Sequence, residues 1–130
     1  MPKKPDERGE GTVELAVLAP FLFALVLAIV HAGTFWISAQ TAAAAATRGA
    51  RAASMAGDDR EAFELGVLAV EQTVAELGAH VASAPVILRV RRNVRATVEV
   101  RVPSVVPFLP HSVTRTRELP QESYVSETDR

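Results

Sequence analysis

The sequence predicts an α+β protein: a long N-terminal transmembrane helix that continues into a small extracytoplasmic domain of one further helix and an antiparallel sheet. Three observations predict it. The stretch Leu15–Ile37, LAVLAPFLFALVLAIVHAGTFWI, is apolar except for His31 and Thr34. An alanine-rich segment follows without a helix breaker. From Val86 the hydrophobic period changes from that of a helix to the alternation of a strand.

At about 1.5 Å rise per residue, Leu15–Ile37 makes a helix roughly 35 Å long. A bilayer core is about 30 Å thick and needs about 20 such residues. Residues 13–37 therefore read as the membrane helix, and residues 1–12 as a cytoplasmic leader-like segment. Lys3, Lys4 and Arg8 precede the helix, and Arg48 and Arg51 follow it. Basic side chains set orientation, and this balance favours a cytoplasmic N-terminus. A cleaved secretory signal is the rival reading, with Ala42–Ala46 as small residues for cleavage. Its apolar region would be shorter, about 7–15 residues. Phe35 and Trp36 instead suit an aromatic belt at the outer leaflet.

Pro20 stands inside the apolar stretch. It removes one backbone hydrogen bond and marks a kink, which membrane helices tolerate. Residues 38–57 form an alanine-rich extension with high helix propensity. One helix is expected from Thr12 to Ala56. Small side chains let helices approach closely, so packing against a neighbour is expected there.

Gly57 then reads as a C-terminal cap, followed by Asp58 and Asp59 as N-cap candidates. Asp58-x-x-Glu61 resembles a capping box. Phe63, Val67, Val70, Val74 and Leu77 fall on one helical stripe, and Gly78 ends that helix. Next come two strands. Val86, Leu88 and Val90 alternate with Ile87, Arg89 and Arg91; Val94, Ala96, Val98, Val100 and Val102 alternate with Arg95, Thr97, Glu99 and Arg101. Arg92-Asn93 takes the position of a tight turn, because Asn tolerates the left-handed backbone. The valine face is expected to cover the amphipathic helix, with the arginine face in solvent. Residues 103–110, PSVVPFLP, hold three prolines and read as a loop. Its apolar residues Val105, Val106, Phe108 and Leu109 are expected to plug the core, the alternative being a binding tip. Ser112–Leu119 adds a short edge strand. The small domain thus runs over residues 58–120, with a flexible tail at 121–130.

Composition limits the function. The net charge is −1, without the basic excess of a nucleic-acid binder. There is no cysteine, hence no disulfide framework, thiolate metal site or Cys nucleophile. Aromatic residues are 5%, too few for stacking platforms. No Walker loop, HExxH or GxSxG motif occurs. His31, His80 and His111 have no metal-ligand spacing. An enzyme, a metal site and a cofactor are therefore not expected.

The distinctive stretch is Arg8-Gly9-Glu10-Gly11-Thr12-Val13-Glu14-Leu15, which runs on to Pro20. RGEGTVELAVLAP resembles the N-termini of TadE-like proteins, pseudopilins of tight-adherence pilus systems. The ending Thr116-Arg117-Glu118-Leu119-Pro120 is weakly similar to endings common in that family. The resemblance implies a structural role in assembling such a pilus or a related secretion apparatus. It implies other pseudopilins and inner-membrane platform proteins as partners, with a prepilin peptidase cutting between Gly9 and Glu10. Glu14 then falls at the fifth position of the processed chain, where it is implied to set helix registry. That chain begins Glu-Gly-Thr-Val, more polar than the start of ordinary pilins. The alternative is a membrane-anchored envelope protein whose outer domain binds a partner or ligand.

Overall fold

The computed structural model describes residues 7–104 and 106–121, with side chains from Gly11 onward. The order of elements is α1 (Glu7–Ser54), α2 (Asp59–Glu76), β1 (Val86–Val90), β2 (Asn93–Arg101) and β3 (Ser112–Pro120). Helix α1 is continuous through Pro20. It starts before Thr12, the expected first residue, so the glycines of the leader-like segment are already helical.

The two halves of α1 differ in what surrounds them. Between residues 11 and 30 every side chain is exposed except Leu27, which is half-buried. From Ser38 the helix enters the small domain. Ser38, Ala39, Thr41, Ala42, Ala45, Ala46, Ala50, Ala53 and Ser54 are all buried. Their spacing repeats every three or four residues, so they form one broad face of small side chains.

Helix α2 lies on that face at short range. A Cβ at Gly49 would stand 2.5 Å from Val70 Cγ2 and 3.2 Å from the Gly66 carbonyl oxygen. A Cβ at Gly66 would stand 3.0 Å from Ile87 Cγ1 and 3.3 Å from Ala53 Cβ. The helices touch through glycine and alanine, with Ile87 filling the angle beneath them. This contact decides how α2 is rotated. Its buried residues are Ala62, Gly66, Val70, Thr73 and Val74. The expected stripe is only half right: Val70 and Val74 are inside, Val67 is at the margin, and Phe63 and Leu77 are more than half exposed. A hydrophobic stripe counts bulk in favour of burial; a close helix pair selects the narrow side.

The ends of α2 follow the sequence. Asp58 Oδ1 accepts from the Glu61 amide at 2.8 Å, and Glu61 Oε2 accepts from the Gly57 amide at 2.8 Å. The box is closed one residue earlier than its standard form. At the other end Gly78 has φ +67, the Ala79 amide donates to the Val74 carbonyl and the Gly78 amide to the Ala75 carbonyl. Those two bonds are the Schellman pattern, and the positive φ accounts for glycine there.

The sheet has the order β1-β2-β3, antiparallel throughout. Val94, Ala96, Val98, Val100 and Val102 of and beyond β2 are buried, as the alternation predicts. They cover the alanine face of α1, joined by Val113 of β3, rather than lying chiefly on α2 as expected. The two helices lie on one face of the sheet, and α1 takes the centre because its small side chains admit both neighbours. Beyond the end of β1, Val81 forms a bridge to Val100 and extends the sheet on that side.

Strand β1 is reversed relative to expectation. Ile87 is buried, whereas Val86, Leu88 and Val90 are exposed at 47%, 52% and 38%. The register explains it. Val90 pairs with Asn93, so the turn is Arg91-Arg92, and Ile87 stands opposite Ala96. Opposed residues share a face, and a two-residue turn sets odd-numbered residues of β1 against even-numbered residues of β2. The left-handed turn residue is Arg91, φ 59, not Asn93. Asn93 begins β2 and donates from Nδ2 to Glu118 Oε1.

Arg89 consequently points inward. Its guanidinium donates to the Ala56 carbonyl and stands 3.3 Å from Asp59 Oδ1, with only 16% of the side chain exposed. A cation suits the C-terminal end of α1; at the first turn of α2 the Asp59 carboxylate holds it. It ties the corner between the helices to the sheet.

Gly49→Ala gains up to about 1 kcal/mol of helix propensity but forces an overpacked contact that costs about 1–3 kcal/mol. A net loss of thermal stability is expected for the full chain in detergent micelles. Gly33→Ala, at a position with open space around it, is expected to be neutral or stabilising in the same melt.

Candidate functional site: the exposed apolar helix and its polar border

The chemistry of a site is sparse in the small domain. The best-formed cleft, about 310 Å³, lies where α1 enters the domain and is lined by Thr34, Ile37, Thr41, Leu77, His80 and Pro103 among others. No carboxylate lines it. His31, His80 and His111 are not brought together, and no metal-holding group of three His, Cys, Asp or Glu occurs among the described residues.

The outer face of β2 and β3 is polar, as the alternation in β2 predicts. Arg95 donates from Nε and Nη2 to Glu118 Oε2 at 3.2 and 3.0 Å, and Thr97 Oγ1 meets Thr116 Oγ1 at 3.0 Å. Ser112 and Ser83 donate to the two carboxylate oxygens of Glu99. These hydroxyls, Ser112 first, hold Glu99 below the ordinary carboxylate value; Asn93 and then Arg95 do the same for Glu118. This is a hydrogen-bonded surface that pins the strands and the Ser83 loop. It presents no unpaired reactive group.

Most of the exposed large apolar side chains are on α1. Val13, Leu15, Val17, Phe21, Phe23, Leu25, Ile29, Trp36 and Ile37 are each exposed by more than half. The helix is long and apolar enough to cross a membrane once. The predicted residues stand at its beginning. Gly9 and Glu10 lie in the first turns of α1, and Pro20 lies inside it. Glu14 is exposed one turn after Glu10 and has no hydrogen-bond or ion-pair partner among the described residues. With Gly11, Leu15, Leu18 and Leu22 it borders a shallow hollow on the helix surface. Gly11 contributes to that hollow by lacking a side chain, with nothing within 4 Å of where its Cβ would be.

The far end of the apolar stretch has a contact that sequence reasoning missed. Ser104 Oγ approaches His31 Nδ1 at 3.5 Å, which sets the proline-rich loop against α1 below the domain. Its apolar residues do not plug the core as expected. Phe108 is 85% exposed, and Val106 and Leu109 are half-buried; Val105 lies outside the described residues. The signal available in the sequence was the prolines, which keep the loop from folding back into the sheet.

Residues 9–51 match the family model of TadE-like proteins. The matched stretch is α1 almost alone, ending within its last turn, and it covers about a third of the chain. No curated protein and no solved structure matches the chain. The match and the apolar helix together support, at the level of the family, a membrane-associated role in pilus or secretion assembly.

The lowered carboxylates give the domain an acid limit. A folded-state pKa below the unfolded one contributes stability that is complete above the ordinary value of 4.5 and is lost as pH falls through the folded value. The melting temperature is expected to drop as pH falls below the ordinary carboxylate value of 4.5. Replacing Glu99 and Glu118 together by Gln is expected to flatten that drop; an unchanged acid limb would show that other groups set it.

Proposed function

We propose that this chain is a TadE-like minor pseudopilin, a structural membrane protein that takes part in assembling a tight-adherence pilus or a related secretion apparatus. The observation that carries the reading is the bare apolar surface of α1 bordered by Glu14, a carboxylate without a partner among the described residues, within the stretch that matches TadE-like proteins. In this reading the N-terminus is cytoplasmic and the small domain lies outside the membrane. The partners are other pseudopilins and inner-membrane platform proteins, and a prepilin peptidase cuts between Gly9 and Glu10.

The physical role of Glu14 follows from its place. A carboxylate at the edge of lipid is costly when charged and unpaired. An α-amine from a neighbouring helix relieves that cost only at one axial offset, so the penalty acts as a register mark. The hollow beside Gly11 gives the neighbour room to approach. Cleavage after Gly9 would create the required amine on Glu10 of each copy. Pro20 leaves the Ala16 carbonyl without its helical donor and so makes the helix locally easier to bend on packing.

A second reading has one observation in its favour: the stripe Val86, Leu88 and Val90 is an exposed apolar surface on the outer side of β1. Under it the chain is an anchored envelope protein whose outer domain binds a partner, and α1 serves only as anchor.

Glu14→Leu separates the two. It is expected to abolish pilus-dependent adhesion or secretion under the first reading while leaving the protein in the membrane at normal levels; unchanged function favours the anchor. The intact mass of the protein purified from membranes tests processing. Loss of residues 1–9 is expected; an uncut chain overturns the processing step, and loss of about 40 residues, as a secretory signal would give, overturns the membrane helix itself.

A further inference from the structure

The proline-rich loop beneath the domain has an arrangement that the assembly role does not require. Its neck is closed by the Val102 amide donating to the His111 carbonyl at 2.7 Å. From Val102 to Pro110 the chain has no charged residue. Pro103, Pro107 and Pro110 have no amide hydrogen to desolvate. Ser104 Oγ donates to the Val106 carbonyl at 2.8 Å and accepts from the Val106 amide at 3.3 Å, and the Leu109 amide donates to the Val106 carbonyl at 3.3 Å. The loop thus satisfies or lacks much of its backbone polarity, while Phe108 is left 85% exposed at its tip.

Its height along α1 is fixed by contact. Counting the ~20 residues that cross a bilayer core from Leu15, beside the last carboxylate, brings the outer boundary to Thr34. His31 is one turn inside that boundary. Ser104 stands against His31, so the loop is at the depth of the outer acyl boundary, not above it. Leu27, a further turn inside, is the one side chain between residues 11 and 30 that is partly covered. Arg101 and His111 flank the neck of the loop in the sequence.

We propose that the described residues of this loop, 103–104 and 106–110, form a membrane-inserted foot: Phe108, with Val106 and Leu109, enters the outer leaflet of the same bilayer that α1 crosses. The occupant of this surface is lipid, because the loop continues the exposed apolar surface of α1 and is uncharged where it meets it. The foot shields the polar edge of His31 from the acyl chains. It also holds the domain at a fixed angle to the membrane, since a second contact removes the freedom to pivot about a single helix. This rests on α1 spanning the membrane, as in the reading above.

The absence of cysteine makes the test direct. Phe108→Cys, Leu22→Cys and Arg92→Cys are made singly in the full chain, labelled with a nitroxide and reconstituted into phosphatidylcholine–phosphatidylglycerol vesicles. Relaxation by oxygen, which concentrates in lipid, is compared with relaxation by a water-soluble nickel chelate. All three positions are exposed, so the substitutions leave the core intact. Position 22 is expected to favour oxygen, position 92, in the turn at the other end of the domain, to favour nickel, and position 108 to favour oxygen as position 22 does. A label at 108 as wet as the one at 92, with 22 in lipid, overturns the foot and leaves the spanning helix intact. A label at 108 shielded from both reagents also overturns it, in favour of a protein partner. A wet label at 22 sinks the spanning helix and the foot with it.

Discussion

The domain depends on one constraint: the outer half of α1 must be thin. Gly49 and Gly66 bring two helices together at a distance where a single added methyl would collide with Val70 or Ile87. The alanines on either side of Gly49 keep the rest of that face flat. A flat helix can touch both a second helix and a sheet, and α1 does so with β2, β3 and α2. The core is accordingly built of Ala and Val. Each such side chain buries little area, and the largest fully buried side chains are valines and one threonine. Stability in such a core comes from density of contact more than from area removed from water. That suits a domain with no disulfide and few aromatic residues.

Helix α1 also carries two incompatible surfaces in one unbroken rod. Up to Ile37 its large apolar side chains are mostly exposed; from Ser38 a face of small side chains is buried. The change takes place over about one turn, around Phe35, which packs against the core, and Trp36, which does not. No hinge separates the halves.

Elements with a local cause were legible in the sequence. Gly78 ends α2 because the Schellman turn needs a positive φ, and Asp58 starts it because a carboxylate can accept from the first free amides. The alternation in β2 was sufficient to orient it, since every second residue is Val or Ala. The readings that failed have non-local causes. The apolar stripe on α2 was drawn through Phe63 and Leu77 because periodicity rewards size, while the neighbour across the interface rewards smallness. Strand β1 carries apolar residues on both sides, so its own pattern is ambiguous, and only the turn at Arg91-Arg92 decides that Ile87 and Arg89 point in. The polar border of α1 was legible because its residues are contiguous. The contact between Ser104 and His31 was not, because it joins positions 73 residues apart.

That last contact bears on how a single-helix protein keeps its domain upright. A domain joined to the bilayer through one helix can tilt with that helix, and tilt is set by interfacial anchors and packing rather than by length. An anchor beside Trp36 alone lies on the helix axis and resists axial slip more than rotation. In the proposed foot, the proline loop adds a second contact beside the helix and resists rotation as well. Its rigidity matters here: three fixed φ angles and the Ser104 bonds keep Phe108 from collapsing into the nearby cleft. A flexible loop of the same composition would bury its phenylalanine against Ile37 or Leu77, both exposed beside that cleft. The prolines thus explain in one step why the apolar tip stays outside the core.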